Sequence, residues 1–236
     1  MVSAIAFNYE ARFMSSPTSS FAAKKLLLAY AKTDGPSTVR NPIVQQLLVR
    51  LVSAIPSIFR DRYEATMLES LFTMMYVALL RISEVSYTPK SSHNLRRKQL
   101  FLTHHKGQAV VKINMESCKF SKGQVFRMMV SPNMVSPQIS PVESYQAYAR
   151  IRPKADFAFV TKEGSPLSPA YIRTSLRRVL DAINHKSLEF NTHSFRIGRA
   201  TDMYASGYSD IQISKAGRWN SKAFLKYIKP QLINLM

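Results

Sequence analysis

"NTHSFRIGRATDMYASGYSD", residues 191–210, sets His193 and Arg196 three apart where the apolar spacing turns helical. The spacing predicts a helix over 193–206, with Thr192 as its N-cap and Gly207 where it stops. Two such side chains on one helical face are either surface decoration or a matched pair aimed at one target. The sequence around them has to decide.

Downstream, Ser209 and Gln212 form a capping box for a helix over 210–216. Asn220 caps a further helix over 221–229, which Pro230 ends. Upstream, "SPAYIRTSLRRVLDAIN" and "PVESYQAYARI" both carry helical patterns. Before them, "KQLFLTHH", "AVVKINME" and "VFRMMVS" are short apolar runs parted by Lys106-Gly107-Gln108 and by Lys119–Gln124, which predicts a three-stranded antiparallel meander. A helix in "PIVQQLLVRLVSAI" and a longer one from Tyr63 to Val85 precede the sheet. The longer one is apolar on nearly every side, as a buried central helix is. Near the N-terminus a short helix, "FAAKKLLLAYAK", leads into the turn-rich "TDGPSTVRNP", read as a linker over 32–42. The expected class is α+β, mostly helical, with one small sheet.

The chain has 236 residues, 46% of them hydrophobic, enough to build a core. With 33 Lys and Arg against 14 Asp and Glu, its formal charge is +19, a field that attracts polyanions, nucleic acid first. One cysteine, Cys118, excludes an internal disulfide and a cysteine-based zinc site. The five histidines show no metal-binding spacing, so no metal or cofactor is expected. "MVSAIAFNYE" lacks the pattern of a signal peptide, and the apolar run Leu71–Leu80 is too short to span a bilayer. These features predict a soluble intracellular protein.

Several residues stand out chemically. Arg81, expected at the end of the buried central helix, either pairs with Glu84 one turn on or serves as a phosphate fork beside a cleft. Lys119, in the second hairpin turn, is either a solvated turn residue or a mobile proton donor, with Lys122 as a rival. Trp219 is the only tryptophan, by default a packing anchor. Tyr227 lies among Lys222, Lys226 and Lys229, and by itself reads as a packing residue. From 191 to 230, however, seven Lys and Arg face two Asp. With Arg81 and Lys119, this region holds the parts for metal-free phosphoryl transfer: guanidiniums, a proton shuttle, a general acid and a nucleophile.

The stretches "LLRISEVS", "SCKFSKG", "THSFRIGRAT" and "AGRWNSKAFLKYI" stand in the order found in tyrosine recombinases, and the chain resembles that integrase family from about Ser15 to Pro230. Its flavour is similar to the recombinases of DIRS-like retrotransposons and Cryptons. The resemblance implies a DNA strand-breaking and rejoining enzyme acting through a 3′-phosphotyrosyl intermediate on a mobile element. It implies that Arg81 and Arg196 clamp the scissile phosphate, with Glu84 supporting the first arginine. His193 would assist proton transfer, Trp219 would touch the same phosphate, Lys119 would protonate the leaving 5′-oxygen and Tyr227 would attack. The implied partners are double-stranded DNA and further copies in a tetrameric synapse, with no membrane. Location follows the DNA, nuclear in a eukaryotic host and otherwise cytoplasmic.

Trp219 and Tyr227 are eight apart, one fewer than in many bacterial and phage relatives, and the span from Arg81 to Lys119 is long. Residues 1–40 are expected to be a helical core-binding remnant and linker, and 41–236 the catalytic domain. So short an N-terminal part predicts weaker and less selective DNA binding than in a complete recombinase. The alternative is an inactive DNA-binding remnant. A helix-turn-helix regulator is disfavoured, because "SDIQISKAG" offers few base-reading side chains.

Overall fold

The computed structural model describes residues 7–9, 11–23, 25–26, 40–89, 93–116, 125–219 and 222–229, in two compact units, 1–39 and 40–236. In the first unit a 3-10 helix, Pro17–Ser19, starts at Ser16, whose hydroxyl accepts the Thr18 N–H at 3.3 Å. The helix expected over 21–32 is described only at 21–23 and 25–26, where it is helical; its remainder and linker residues 32–39 lie outside the described residues.

In the second unit the main elements are α1 (Gln45–Ile58), α2 (Arg62–Val77), α3 (Ile82–Val85), β1 (Leu100–His105), β2 (Gln108–Met115), β3 (Phe126–Val130), α4 (Pro141–Ile151), α5 (Pro169–Ala182), α6 (Ser194–Ala205), α7 (Asp210–Gly217) and a 3-10 helix, Lys222–Tyr227, with shorter 3-10 turns between them. The helix starts follow side-chain chemistry. Asp61 accepts the Tyr63 N–H at 2.7 Å, while Ser140 and Ser168 accept from Glu143 and Tyr171 at 3.2 and 3.1 Å, each with proline next in line. Ser209 and Gln212 make the expected capping box of α7. The strands form an antiparallel meander in the order β1-β2-β3, with Leu100 opposite Ile113 and Ile113 opposite Met128. Lys106 and Gly107, both at positive φ, close the first hairpin in the turn whose twist suits antiparallel strands. Val111, Ile113 and Met115 of β2 alternate inward.

Helix α2 is the axis of the core, packed by α1, α4 and α6, with Leu68, Leu71, Phe72, Met74, Met75 and Val77 fully buried. It does not run on to Val85. It ends at Val77, and Leu79 takes a left-handed φ of 46° before α3 begins beyond Arg81. Ala78, Leu79 and Leu80 remain wholly buried, so the apolar pattern passes through the break without registering it. The break is held by guanidiniums from α6 and the end of α7, which take up the carbonyls that a continuous helix would have used internally. Among the described residues no helix is long and apolar enough to cross a membrane.

Candidate active site

Helix α6 is fixed at both ends before it presents any chemistry. Its N-cap is His193, not Thr192. Thr192 is buried, and the turn is instead tied by Asn191, whose Oδ1 accepts the His193 N–H at 2.7 Å and whose N–H donates to Ser194 Oγ at 3.1 Å. Gly198 lets the chain entering α1 lie directly on the helix, since a Cβ there would stand 1.7 Å from the Ile43 carbonyl oxygen. The Ile43 N–H donates to the Ser194 carbonyl at 2.9 Å. Farther along, Asp202 Oδ2 accepts both the Gln45 N–H, at 2.8 Å, and the Tyr76 hydroxyl, at 2.5 Å. Helix α6 is therefore bolted to α1 and α2.

From that platform Arg196 points into the interior, 1% exposed. Its guanidinium donates to the Leu79 carbonyl and, at 2.9 Å, to the Gly217 carbonyl, and it stacks 4.7 Å from the Trp219 ring. Among the described residues its buried Nε has no partner. Burial first, then the neighbouring Arg81 and Arg218, pull its pKa below the usual guanidinium value. Trp219 can fold back so closely because residue 217 is glycine; a Cβ there would lie 1.7 Å from the indole.

His193 Nε2 lies 2.6 Å from the Tyr227 hydroxyl, with ring centroids 4.8 Å apart, and the Trp219 ring is 5.1 Å from that of Tyr227. Burial, with help from Arg196 and Arg81, pushes the His193 pKa down to about 4. The ring is thus neutral at neutral pH, and its Nε2 can accept the phenolic proton. Tyr227 sits in a 3-10 helix rather than the expected helix over 221–229; the foreseen cap and stop, Asn220 and Pro230, lie outside the described residues. The Thr201 hydroxyl holds this segment to α6, donating to the Tyr227 carbonyl at 3.2 Å and accepting the Lys229 N–H at 3.0 Å. Phe224 anchors it in a small cluster with Leu79, Ala200, Met203 and Ile213.

Arg81 is not at the end of a long helix but at the start of α3, where its backbone N–H donates to Glu84 Oε2 at 2.7 Å and its guanidinium to Oε1 at 3.1 Å. Glu84, 1% exposed, also receives Arg218 at 2.8 Å. Arg218 is the residue that sequence reasoning passed over, although it is the middle of the quoted Gly-Arg-Trp. Among the described residues Arg81, Arg196 and Arg218 gather around the one buried carboxylate of Glu84, a concentration of positive charge suited to an anion. Lys119 and its rival Lys122 lie outside the described residues. Among the described residues no group of His, Cys, Asp and Glu could hold a metal ion.

The structure thus gathers Arg81, Glu84, His193, Arg196, Trp219 and Tyr227 from three separate stretches of chain. The solved structures similar to it include recombinases and integrases. XerA recombinase matches with a TM-score of 0.59 at 16% identity, over 97% of this chain and 68% of that one. A lambda integrase dimer bound to a COC′ core site matches at 0.59 and 12% identity, over 86% and 52%. XerH recombinase in a pre-cleavage complex with its difH substrate matches at 0.56 and 16%, over 80% of this chain and only 50% of its own. Identities this low speak for the fold alone. Residues 45–228 match the model of the phage integrase family, and the chain belongs to that family. No curated protein matches it by sequence.

Proposed function

We propose that this chain breaks and rejoins DNA strands, as a site-specific recombinase of a mobile element, with Tyr227 as the nucleophile. The observation that carries the reading is the 2.6 Å contact between the Tyr227 hydroxyl and a histidine kept neutral beside a surplus of buried guanidiniums. The phenolic oxygen forms a bond to the scissile phosphorus as its proton passes to His193 Nε2. The bond to the 5′-oxygen breaks, and that oxygen takes up a proton, the role the family resemblance gives to Lys119. A 3′-phosphotyrosyl link results, and attack by another 5′-hydroxyl reverses the step. Arg81 and Arg196 neutralise charge on the non-bridging oxygens, and Trp219 packs against the same centre. Self-association on DNA, in a tetrameric synapse, is part of this reading.

The test is covalent trapping. The protein is incubated with nicked suicide duplexes from the DNA flanking its own coding locus and from a randomised pool, then run on denaturing gels. A protein–DNA adduct that vanishes in Tyr227→Phe is the expected result. Salt-sensitive binding with no adduct would overturn it in favour of a chain that grips DNA without cutting.

A further inference from the structure

Arg218 takes a left-handed backbone conformation that favours glycine. It follows α7 with φ 56°, ψ 47°, the left-handed conformation in which a helix usually ends on a residue without a Cβ. An arginine there gives up backbone comfort, so its side chain is the place to look for a reason.

That side chain is 5% exposed and reaches three acceptors at once: the Ala78 carbonyl at 3.1 Å, the Leu79 carbonyl at 2.9 Å and Glu84 Oε2 at 2.8 Å. It also lies 4.7 Å over the ring of Phe126, where β3 begins. Two of those acceptors are shared. Glu84 also holds Arg81, and the Leu79 carbonyl also receives Arg196. Its chain neighbours complete the set, since the Gly217 carbonyl takes the other arm of Arg196 and Trp219 stacks on that guanidinium. A single planar fork is therefore joined to the anchors of both Arg81 and Arg196.

We propose that Arg218 is a positioning residue, which sets Arg81 through their shared carboxylate and Arg196 through their shared carbonyl. The proposal rests on the recombinase reading above. Arg218 acts through Arg81 and Arg196, whose anchors its own donors share. Its effect falls on the chemical step rather than on DNA affinity.

Arg218→Gly suits the left-handed backbone, so the fold is retained while the fork is lost. Arg218→Lys keeps a charge but cannot reach three acceptors together. Three quantities are measured on the full chain: the single-turnover rate of adduct formation, the Kd for the same duplex, and unfolding in urea followed by Trp219 fluorescence. Arg218→Gly is expected to slow adduct formation by about thirtyfold with Kd changed by less than about threefold, and Arg218→Lys to recover part of the rate. Combined with Glu84→Gln, the loss should be no more than about that of the worse single variant, as for groups acting as one unit.

Wild-type rates in Arg218→Gly overturn the proposal. So does a rate loss matched by an equal loss of affinity, or failure of both variants to fold. If the native chain forms no adduct, the recombinase reading falls separately, and inorganic phosphate titrated against Trp219 fluorescence then tests the positioning alone. About tenfold weaker phosphate binding in Arg218→Gly supports it. Unchanged binding, or no response from the native chain, overturns it.

Discussion

His193 is the residue at which burial and charge can be read most directly. Its surroundings hold its pKa near 4, against an ordinary value of 6.5, with burial the larger cause and the Arg196 and Arg81 guanidiniums the smaller. Between those values the unfolded chain binds a proton that the folded chain refuses, so stability rises with pH through that window. Below about pH 4 both forms are protonated and the difference saturates. Native protein should therefore lose about 1–2 kcal/mol more than His193→Gln on going from pH 7 to pH 5. Urea unfolding at the two pH values checks this, and equal losses would mean an ordinary, solvated histidine. At this scale the sequence was legible where residue types were rare or closely spaced. His193 and Arg196 share one turn, Trp219 is unique, and Glu84 lies three residues from Arg81. Arg218 was not legible, because one arginine among 33 basic residues carries no mark until its backbone conformation and its three acceptors are seen.

Among elements, the decisive contact is α6 against the chain that enters α1. Gly198 faces backbone there, and a Cβ 1.7 Å from a carbonyl oxygen cannot be absorbed by a rotamer change. Gly198→Ala should cost about 3 kcal/mol, as overpacking against rigid structure does. The urea midpoint followed by Trp219 fluorescence measures it, and an unchanged midpoint would mean that α6 can slide on α1. Helices α4, α5 and α7 and all three strands follow their sequence patterns closely, because each pairs a regular apolar period with a capping serine, a proline or a turn. The break after Val77 escaped for the opposite reason. Hydropathy is continuous there, and what stops the helix is a pair of arginines more than a hundred residues away. The N-cap of α6 shifted by one residue, because Asn191 rather than Thr192 satisfies the first turn.

For the whole molecule, charge is the dominant property. A formal +19 on 236 residues makes phosphate contacts the main source of affinity for the proposed DNA partner. Log K should then fall with log salt by about 0.9 per phosphate neutralised, giving a slope of about −5 if six are engaged. Filter binding or fluorescence anisotropy between low and physiological salt checks this, and a flat response would contradict a DNA partner.

By itself, the sequence determined the class of fold, the order of its elements, the small antiparallel sheet and the basic field. Each of these is written in local periodicity, turn chemistry or composition. Only the tertiary structure decided how the charges are shared: where the central helix breaks, that Glu84 serves both Arg81 and Arg218, and that the Leu79 carbonyl receives both Arg196 and Arg218. Those outcomes depend on which buried donors find which acceptors, a matter of long-range geometry that no local window contains.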